Sequence, residues 1–142
     1  MNRAVSRRRT VWTAIAAGVL GISFATAVHA ASTRYGEVVV SDSQGGDERA
    51  VFAPTTPKIY LTAEIEDVAK GTKLTSKWIA EKTQAAPPNY EIASADVTPS
   101  PKMDVADFSL SKPTQGWPVG DYRVELLIND KLAETVRFKV AP

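Results

Sequence analysis

Short runs in which apolar and polar residues alternate constrain this chain more than any other feature of its sequence. In residues 58–65 the apolar side chains fall at every second position. A period of two places them on one face of a strand, whereas a helix needs a period near 3.6. Residues 73–81 alternate in the same way. We therefore predict two half-buried strands. Their core-facing side chains are expected to be Ile59, Leu61, Ala63 and Ile65 in the first, and Leu74, Ser76, Trp78 and Ala80 in the second.

Similar short runs continue after Ala31, separated by Pro, Gly and Asp, and this rhythm is typical of an all-β sandwich. Residues 103–110 contain a phase slip, which predicts a β-bulge near Val105 and Ala106. Prolines flank residues 90–97, which are expected to form an edge strand. Counting the short runs at 37–41 and 51–52 and a C-terminal hairpin gives seven or eight strands. The predicted fold is a single antiparallel sandwich over residues 31–142.

Residues 1–30 differ in composition from the rest and are predicted to be a signal peptide that forms a helix. Four arginines precede an uncharged apolar stretch at 11–28, and small residues lie just before Ala31. The alternative is an uncleaved helix that anchors the protein, because a bilayer is spanned by ~20 apolar residues. Bacterial export to the periplasm or the medium is expected, through the general secretory route, although Arg8-Arg9 also fits the twin-arginine route.

Charge and composition exclude several classes of function. Residues 1–30 hold four of the 17 basic side chains and none of the 16 acidic ones, so residues 31–142 carry a net charge of 13 − 16 = −3. This charge provides no attraction to nucleic acid, and membrane contact is expected only through an uncleaved N-terminus. The chain has no cysteine, and His29 is its one histidine. Cleavage before Ala31 would leave no side chains for a Ser-His-Asp triad or a typical zinc site, so no cofactor or metal is predicted.

The C-terminal hairpin has two apolar faces whose register depends on its turn. One arm carries Tyr122 and Val124 on its apolar face, and the other carries Leu132, Val136 and Phe138. A two-residue turn at Asn129-Asp130 without a bulge would put these faces on opposite sides of the sheet. We therefore prefer a three-residue turn that includes Lys131, with a bulge in either arm as the competing solution. Either one pairs Tyr122 with Phe138 and Val124 with Val136.

The same region resembles a known group of domains. The pattern Trp-Pro-x-Gly-x-Tyr-x-Val-x-Leu from Trp117, followed by a polar turn and Phe-x-Val at Phe138, is similar to the last hairpin of bacterial extracytoplasmic immunoglobulin-like or fibronectin-III-like domains. Residues 71–78 look like their third strand with its core tryptophan, Trp78. The resemblance implies structural roles for Trp78, Tyr122 and Phe138, with Tyr122 as a tyrosine corner whose hydroxyl bonds upstream backbone. The chain departs from the antibody pattern because it lacks both cysteines.

These observations predict a non-enzymatic binding or protein-interaction module of the cell envelope, whose partner is another envelope protein or a peptide. Candidate contact residues are Tyr90 and Ile92, which lie between prolines, and Trp117, whose solvent exposure the sequence leaves open. The alternative is a structural accessory subunit tethered by an uncleaved N-terminal helix. A carboxylate-dependent hydrolase, with Asp104 and Asp107 flanking a glycosidic bond, is less favoured because a small sandwich offers no evident deep cleft.

Overall fold

Eight strands make up the fold of residues 31–142, which are the residues that our computed structural model describes. The predicted N-terminal helix and the cleavage site before Ala31 lie outside the described residues. The strands are β1 Arg34–Ser41, β2 Val51–Phe52, β3 Lys58–Glu66, β4 Leu74–Thr83, β5 Tyr90–Val97, β6 Val105–Ser111, β7 Gly120–Ile128 and β8 Lys131–Val140. Within residues 31–142, no helix has the length and apolar character needed to cross a membrane.

The strands form two sheets that pack face to face. One sheet has three strands in the order β1-β3-β6, and the other has five in the order β2-β8-β7-β4-β5. The predicted all-β immunoglobulin-like sandwich is therefore confirmed. Its pairings are antiparallel except for the two-residue strand β2, which runs parallel to the end of β8. The loop after β1 crosses to the second sheet, where the Lys139 amide donates to the Ala50 carbonyl and the Ala141 amide to that of Phe52.

The core lies between the sheets, and the alternating runs face it as predicted. All eight side chains that were assigned to the inner faces of β3 and β4 are buried. They pack with Val124 and Phe138 from the hairpin and with Phe108 from β6. Trp78 and Phe138 meet edge to face, with ring centroids 6.3 Å apart. Period-two alternation located this core because every second side chain of a strand has to share one face.

One core position carries an unsatisfied polar group. Ser76 is fully buried, and its Oγ has no hydrogen-bond partner among residues 31–142. Leaving a buried hydroxyl unpaired costs about 1–3 kcal/mol. We therefore expect Ser76→Ala to leave the free energy of unfolding unchanged or to raise it by about 1 kcal/mol, measured by urea titration. The matched control is Thr75→Ala, which should lower stability because the Thr75 hydroxyl donates to Asp96 at 2.7 Å. A destabilised Ser76→Ala protein would contradict this account.

The hairpin between β7 and β8 has a two-residue turn with a bulge, which was the alternative to the three-residue turn that we preferred from the sequence. Its turn has two residues, Asn129 and Asp130, which both have positive φ angles, 49° and 67°. Such a pair is the signature of a type I′ turn, whose twist matches that of the flanking strands. A bulge between the pairs Leu126–Glu134 and Leu127–Leu132 then restores the register, so Tyr122 lies opposite Phe138 and Val124 opposite Val136. The preferred three-residue turn was wrong, and Leu132 is 60% exposed instead of buried.

The predicted bulge near Val105 and Ala106 is absent from β6. Its register with β3 runs without interruption from Glu64–Val105 to Lys58–Ser111. Met103 and Val105 together cause the apparent phase slip. Met103 belongs to a turn in which its amide donates to the Ser100 carbonyl, and Val105 lies opposite Glu64 on the outer face of the sheet. The Met103 side chain is 40% exposed and takes no part in the strand pattern.

Candidate functional site

Trp117 is held inside the protein by the loop at residues 113–119. The loop turns at Gly116, which has a φ of 84°, and the Trp117 amide then donates to the Pro54 carbonyl at 2.9 Å. The indole Nε1 donates to the Thr56 carbonyl at 2.8 Å. These two bonds fix the ring against the β2–β3 connection, and the side chain is only 2% exposed. Trp117 is therefore not an exposed stacking platform, and it can contribute to a site only as part of a wall.

Tyr122 lies next to Trp117 and forms the corner that the resemblance implied. Its hydroxyl donates to the Pro118 carbonyl at 2.5 Å, which ties the loop to the beginning of β7. Its ring meets Trp117 edge to face at 6.1 Å and stacks on Phe138 at 5.2 Å. Tyr122 and Phe138 are both buried, as is Trp78. The aromatic side chains therefore form one continuous cluster from the loop into the core.

Two tyrosines, the buried Tyr122 and the half-buried Tyr35, should make the fold sensitive to alkali. Burial raises the pKa of Tyr122 to about 12, and it raises the pKa of Tyr35, whose hydroxyl donates to the Leu127 carbonyl at 3.1 Å, to about 12 as well. An unfolded tyrosine titrates near pH 10, so between pH 10 and 12 the unfolded chain holds fewer protons than the folded one. The free energy of unfolding should therefore be constant below about pH 9 and fall as the pH rises from about 10 to 12.

Urea titrations at a series of alkaline pH values would measure this slope. Tyr35→Phe and Tyr122→Phe should each make the decline shallower, although each also removes a hydrogen bond. Leu132→Ala is the control, since Leu132 is exposed and has no titratable group, and it should leave the slope unchanged. A wild-type profile that stays flat up to pH 12 would contradict the role assigned to the two hydroxyls.

An apolar cleft lies between β5 and the 113–119 loop, and all three candidate contact residues line it. Tyr90 is at the mouth and is 52% exposed, Ile92 is half buried against the core, and Trp117 is part of the wall. The volume of the cleft is about 180 Å³. The remaining lining residues are Ala80, Thr83, Ala85, Ala86, Pro113, Pro118 and Tyr122.

Strand pairing explains why distant parts of the sequence meet at this cleft. Tyr90 lies opposite Ala80 on β4, and Ala80 lies opposite Tyr122 on β7. The three side chains therefore share the inner face of the five-stranded sheet. Ile92 is the extra residue of a bulge in β5, between Glu91 and Ala93. The aromatic residues and nearby prolines had pointed to this region in the sequence. No sequence pattern predicted that the small residues Ala85 and Ala86 would line the cleft.

A second, more polar cleft of about 360 Å³ lies where β4, β7 and β8 meet near Phe138. It contains two carboxylates, and cations engage both of them. Glu81 accepts from Arg123 at 3.3 Å and from Arg137 at 3.2 Å, and Asp121 lies 3.5 Å from Lys139. A general acid for glycoside cleavage needs a carboxyl group in apolar surroundings, and this arrangement does not provide one. The ion pairs tie the strands together, and no sequence pattern had pointed to Glu81.

Asp104 and Asp107, the two carboxylates that the sequence raised for a hydrolase, are both exposed. Asp107 accepts hydrogen bonds from the Thr62 hydroxyl at 2.9 Å and from Gln44 at 3.4 Å. Asp42, in the loop after β1, pairs with Arg49 at 3.0 Å. Within residues 31–142 no three His, Cys, Asp or Glu side chains are grouped so that they could hold a metal ion. The apolar cleft is therefore the stronger candidate site.

Comparisons with known proteins support the fold. No protein-family model matches the chain, and no curated protein sequence matches it. Among solved structures, the chain is similar to an immunoglobulin-like protein from Pseudomonas aeruginosa, with a TM-score of 0.58 and 15% identity over 80% of this chain and 99% of that protein. It is also similar to part of the alkylpurine DNA glycosylase of Pseudomonas fluorescens, with a TM-score of 0.47 and 14% identity over 78% of this chain and 30% of the enzyme.

A β-glucosidase from Listeria innocua has a TM-score of 0.46 and 12% identity, over 78% of this chain and 16% of the enzyme. The chain thus corresponds to a small part of each of these two enzymes. Likeness at such low identity concerns the fold alone, since one sandwich architecture serves many functions. The chain accordingly has an immunoglobulin-like fold, and its function has to be argued from its own surface.

Proposed function

We propose that this chain is an exported, non-catalytic binding module of the bacterial cell envelope, and that its apolar cleft takes a side chain of a partner protein or peptide. The observation that carries the proposal is the convergence of Tyr90, Ile92 and Trp117 on one cleft. An exposed tyrosine at the mouth and a rigid tryptophan in the wall suit contact with a partner, because such rings bury a large area at a low cost in conformational entropy.

The size of the cleft favours part of a macromolecule over a free small molecule. Pockets for drug-sized ligands and cofactors usually measure about 300–1,000 Å³, and this cleft measures about 180 Å³. One large apolar side chain therefore suits it better than a whole cofactor does. The lining is almost entirely Ala, Pro, Ile and aromatic residues, which also favours an apolar anchor.

The location in the envelope rests on residues 1–30, whose arginines, apolar stretch and small residues before Ala31 are typical of an export signal. Expression of the full chain in a bacterium, followed by cell fractionation and mass analysis of the N-terminus, tests this part. Recovery from the periplasm or the medium with Ala31 as the first residue would support it. A full-length cytoplasmic protein would overturn it.

Selection of random peptides on the purified protein tests the binding role. We expect the selected peptides to share one aromatic or large aliphatic residue, and Ala85→Trp to weaken their binding at least tenfold because the indole would fill the cleft. Leu132→Ala is the matched control, since Leu132 is an exposed apolar residue whose partner Leu127 lies five residues along β7 from Tyr122, or about 17 Å by strand rise. Binding that survives Ala85→Trp, or that is lost equally in both variants, would overturn the assignment of the cleft.

A further inference from the structure

The outer edge of β5 runs directly past the cleft and is unpaired. Among the strands of residues 31–142, β5 pairs with β4 alone, so its opposite edge presents a row of free N–H and C=O groups. Natural proteins usually protect such edges with charged side chains, above all lysine, with proline, with β-bulges or with a covering segment. The strand β5 has one bulge, at Ile92, and two acidic side chains. The eight residues of β5 contain neither lysine nor proline, and Ala93, Ser94 and Ala95 have small side chains that leave the backbone accessible.

The charges along this edge are acidic. Residues 83–101 contain two acidic side chains, Glu91 and Asp96, and no basic one. Glu91 lies opposite Ile79 and Asp96 opposite Thr75, so the bulge at Ile92 brings both carboxylates to the same, outer face of the sheet. Lys77 is on that face too, but it lies one strand further in. Both carboxylates belong to exposed residues.

The opposite face of β5 is apolar. Tyr90, Ala93, Ala95 and Val97 lie across from Ala80, Trp78, Ser76 and Leu74, which point into the sandwich. A strand that continued the sheet beyond β5 would therefore direct alternate side chains over the mouth of the cleft. Its remaining side chains would lie beside the two carboxylates.

We propose that the β5 edge binds an extended segment of a partner protein by strand addition, and that this segment alternates apolar residues with Lys or Arg. The partner backbone would pair with the free edge, an apolar side chain would enter the cleft, and basic side chains four residues apart would meet Glu91 and Asp96. This inference rests on the proposed binding role of the cleft, and it specifies the class of partner.

A second copy of this chain fits the edge poorly. If the β5 strands of two copies paired antiparallel over their full length, Tyr90 would lie opposite Val97, and Glu91 of each copy would lie opposite Asp96 of the other. Like charges directly across a sheet are destabilising. The two carboxylates therefore oppose self-pairing, while the same two positions favour a basic partner.

Two synthetic heptapeptides, KVTVKVT and EVTVEVT, test the inference on the whole protein. The lysine peptide should bind about tenfold more tightly than the glutamate peptide, because two favourable cross-strand pairs replace two unfavourable ones. The double variant Glu91→Lys/Asp96→Lys should reverse this preference. The double variant loses the hydrogen bond from Thr75 to Asp96, but both residues are exposed, so it should stay folded. A reversal of preference cannot arise from unfolding. Equal affinities, or a preference that the variant leaves unchanged, would overturn the inference.

Methylation of the peptide backbone distinguishes strand addition from simple occupation of the cleft. In an added strand alternate N–H groups point toward β5. Lysine peptides methylated on the odd or on the even amide nitrogens should therefore differ, one set losing binding and the other retaining it. Equal tolerance of both sets, combined with loss of binding in Ala85→Trp, would overturn strand addition and leave the cleft proposal standing. Alternating sensitivity without any effect of Ala85→Trp would overturn the cleft proposal instead.

Self-association provides the last test. The protein should sediment as a monomer, because Glu91 and Asp96 disfavour pairing of two β5 strands. A dimer that is lost in an Ala95→Pro variant whose spectrum remains native would assign the edge to a second copy and overturn the proposal of a basic partner.

Discussion

Trp117→Ala should lower the free energy of unfolding by about 3–5 kcal/mol, the usual cost of removing a buried tryptophan ring. The ring is almost completely buried, packs edge to face on Tyr122, and donates its indole N–H to the Thr56 carbonyl. Its removal leaves a cavity between the 113–119 loop and the β2–β3 connection, and it leaves that carbonyl without its donor. Urea titration at neutral pH measures the loss. Domains of this size have a total stability of about 5–15 kcal/mol, so the effect would be large.

Two variants separate the contributions to this loss. Trp117→Phe keeps most of the apolar contact but has no N–H, so it should cost less than the alanine change. Leu132→Ala alters an exposed side chain, so its free energy of unfolding should stay within about 0.5 kcal/mol of that of the wild type. A Trp117→Ala protein as stable as Leu132→Ala would mean that the loop does not depend on the indole, contrary to the contacts described above.

Gly120→Ala should lower the free energy of unfolding by a similar amount, about 3–5 kcal/mol, because it combines backbone strain with a steric clash. Gly120 has a φ of 152°, a conformation that residues with a Cβ rarely adopt. A Cβ at this position would lie 2.2 Å from the Lys82 carbonyl oxygen, which is backbone and cannot rotate away. The site is where β7 begins to pair with the irregular end of β4. Loss of stability in urea, with earlier thermal unfolding, is the expected result.

Gly45→Ala is a control that isolates the conformational part of this cost. Gly45 also has a positive φ, 65°, but an added Cβ there would meet no atom within 4 Å. We expect a loss of about 1 kcal/mol from strain alone. The difference between the two glycine variants then measures the collision at Lys82. Equal losses in the two variants would show that the start of β7 can shift to accept a side chain.

The strands and the core could be predicted from the sequence because alternation has a direct geometric cause. The inner faces of β3 and β4 were assigned correctly, since every second side chain on a strand shares a face. The pairing of Tyr122 with Phe138 followed from the need to bury both apolar faces of the hairpin. The type of turn could not be decided in the same way. A two-residue turn with a bulge and a three-residue turn give the same residue pairs in the part of the hairpin far from the turn. They differ only in the pairs next to the turn.

The candidate site was predicted in part. Tyr90, Ile92 and Trp117 were selected from separate segments on the basis of their side chains and nearby prolines, and the structure places them around one cleft. The burial of Trp117 was undecided, because it depends on the backbone carbonyls of Pro54 and Thr56, about sixty residues earlier in the chain. The bulge at Ile92, which brings Glu91 and Asp96 to one face, also has no signature in the local sequence.

The sequence by itself determined the all-β class, the two inner faces, the structural positions of Trp78 and Phe138, and the lack of cysteine. Each of these depends on residue type or on a period of two, and both can be read along the chain. Tertiary structure alone decided the cleft and the burial of Trp117, whereas the flanking prolines had already predicted that residues 90–97 form an edge strand. The cleft and that burial arise where segments distant in sequence meet, and their contacts depend on strand register and bulges that local patterns do not specify.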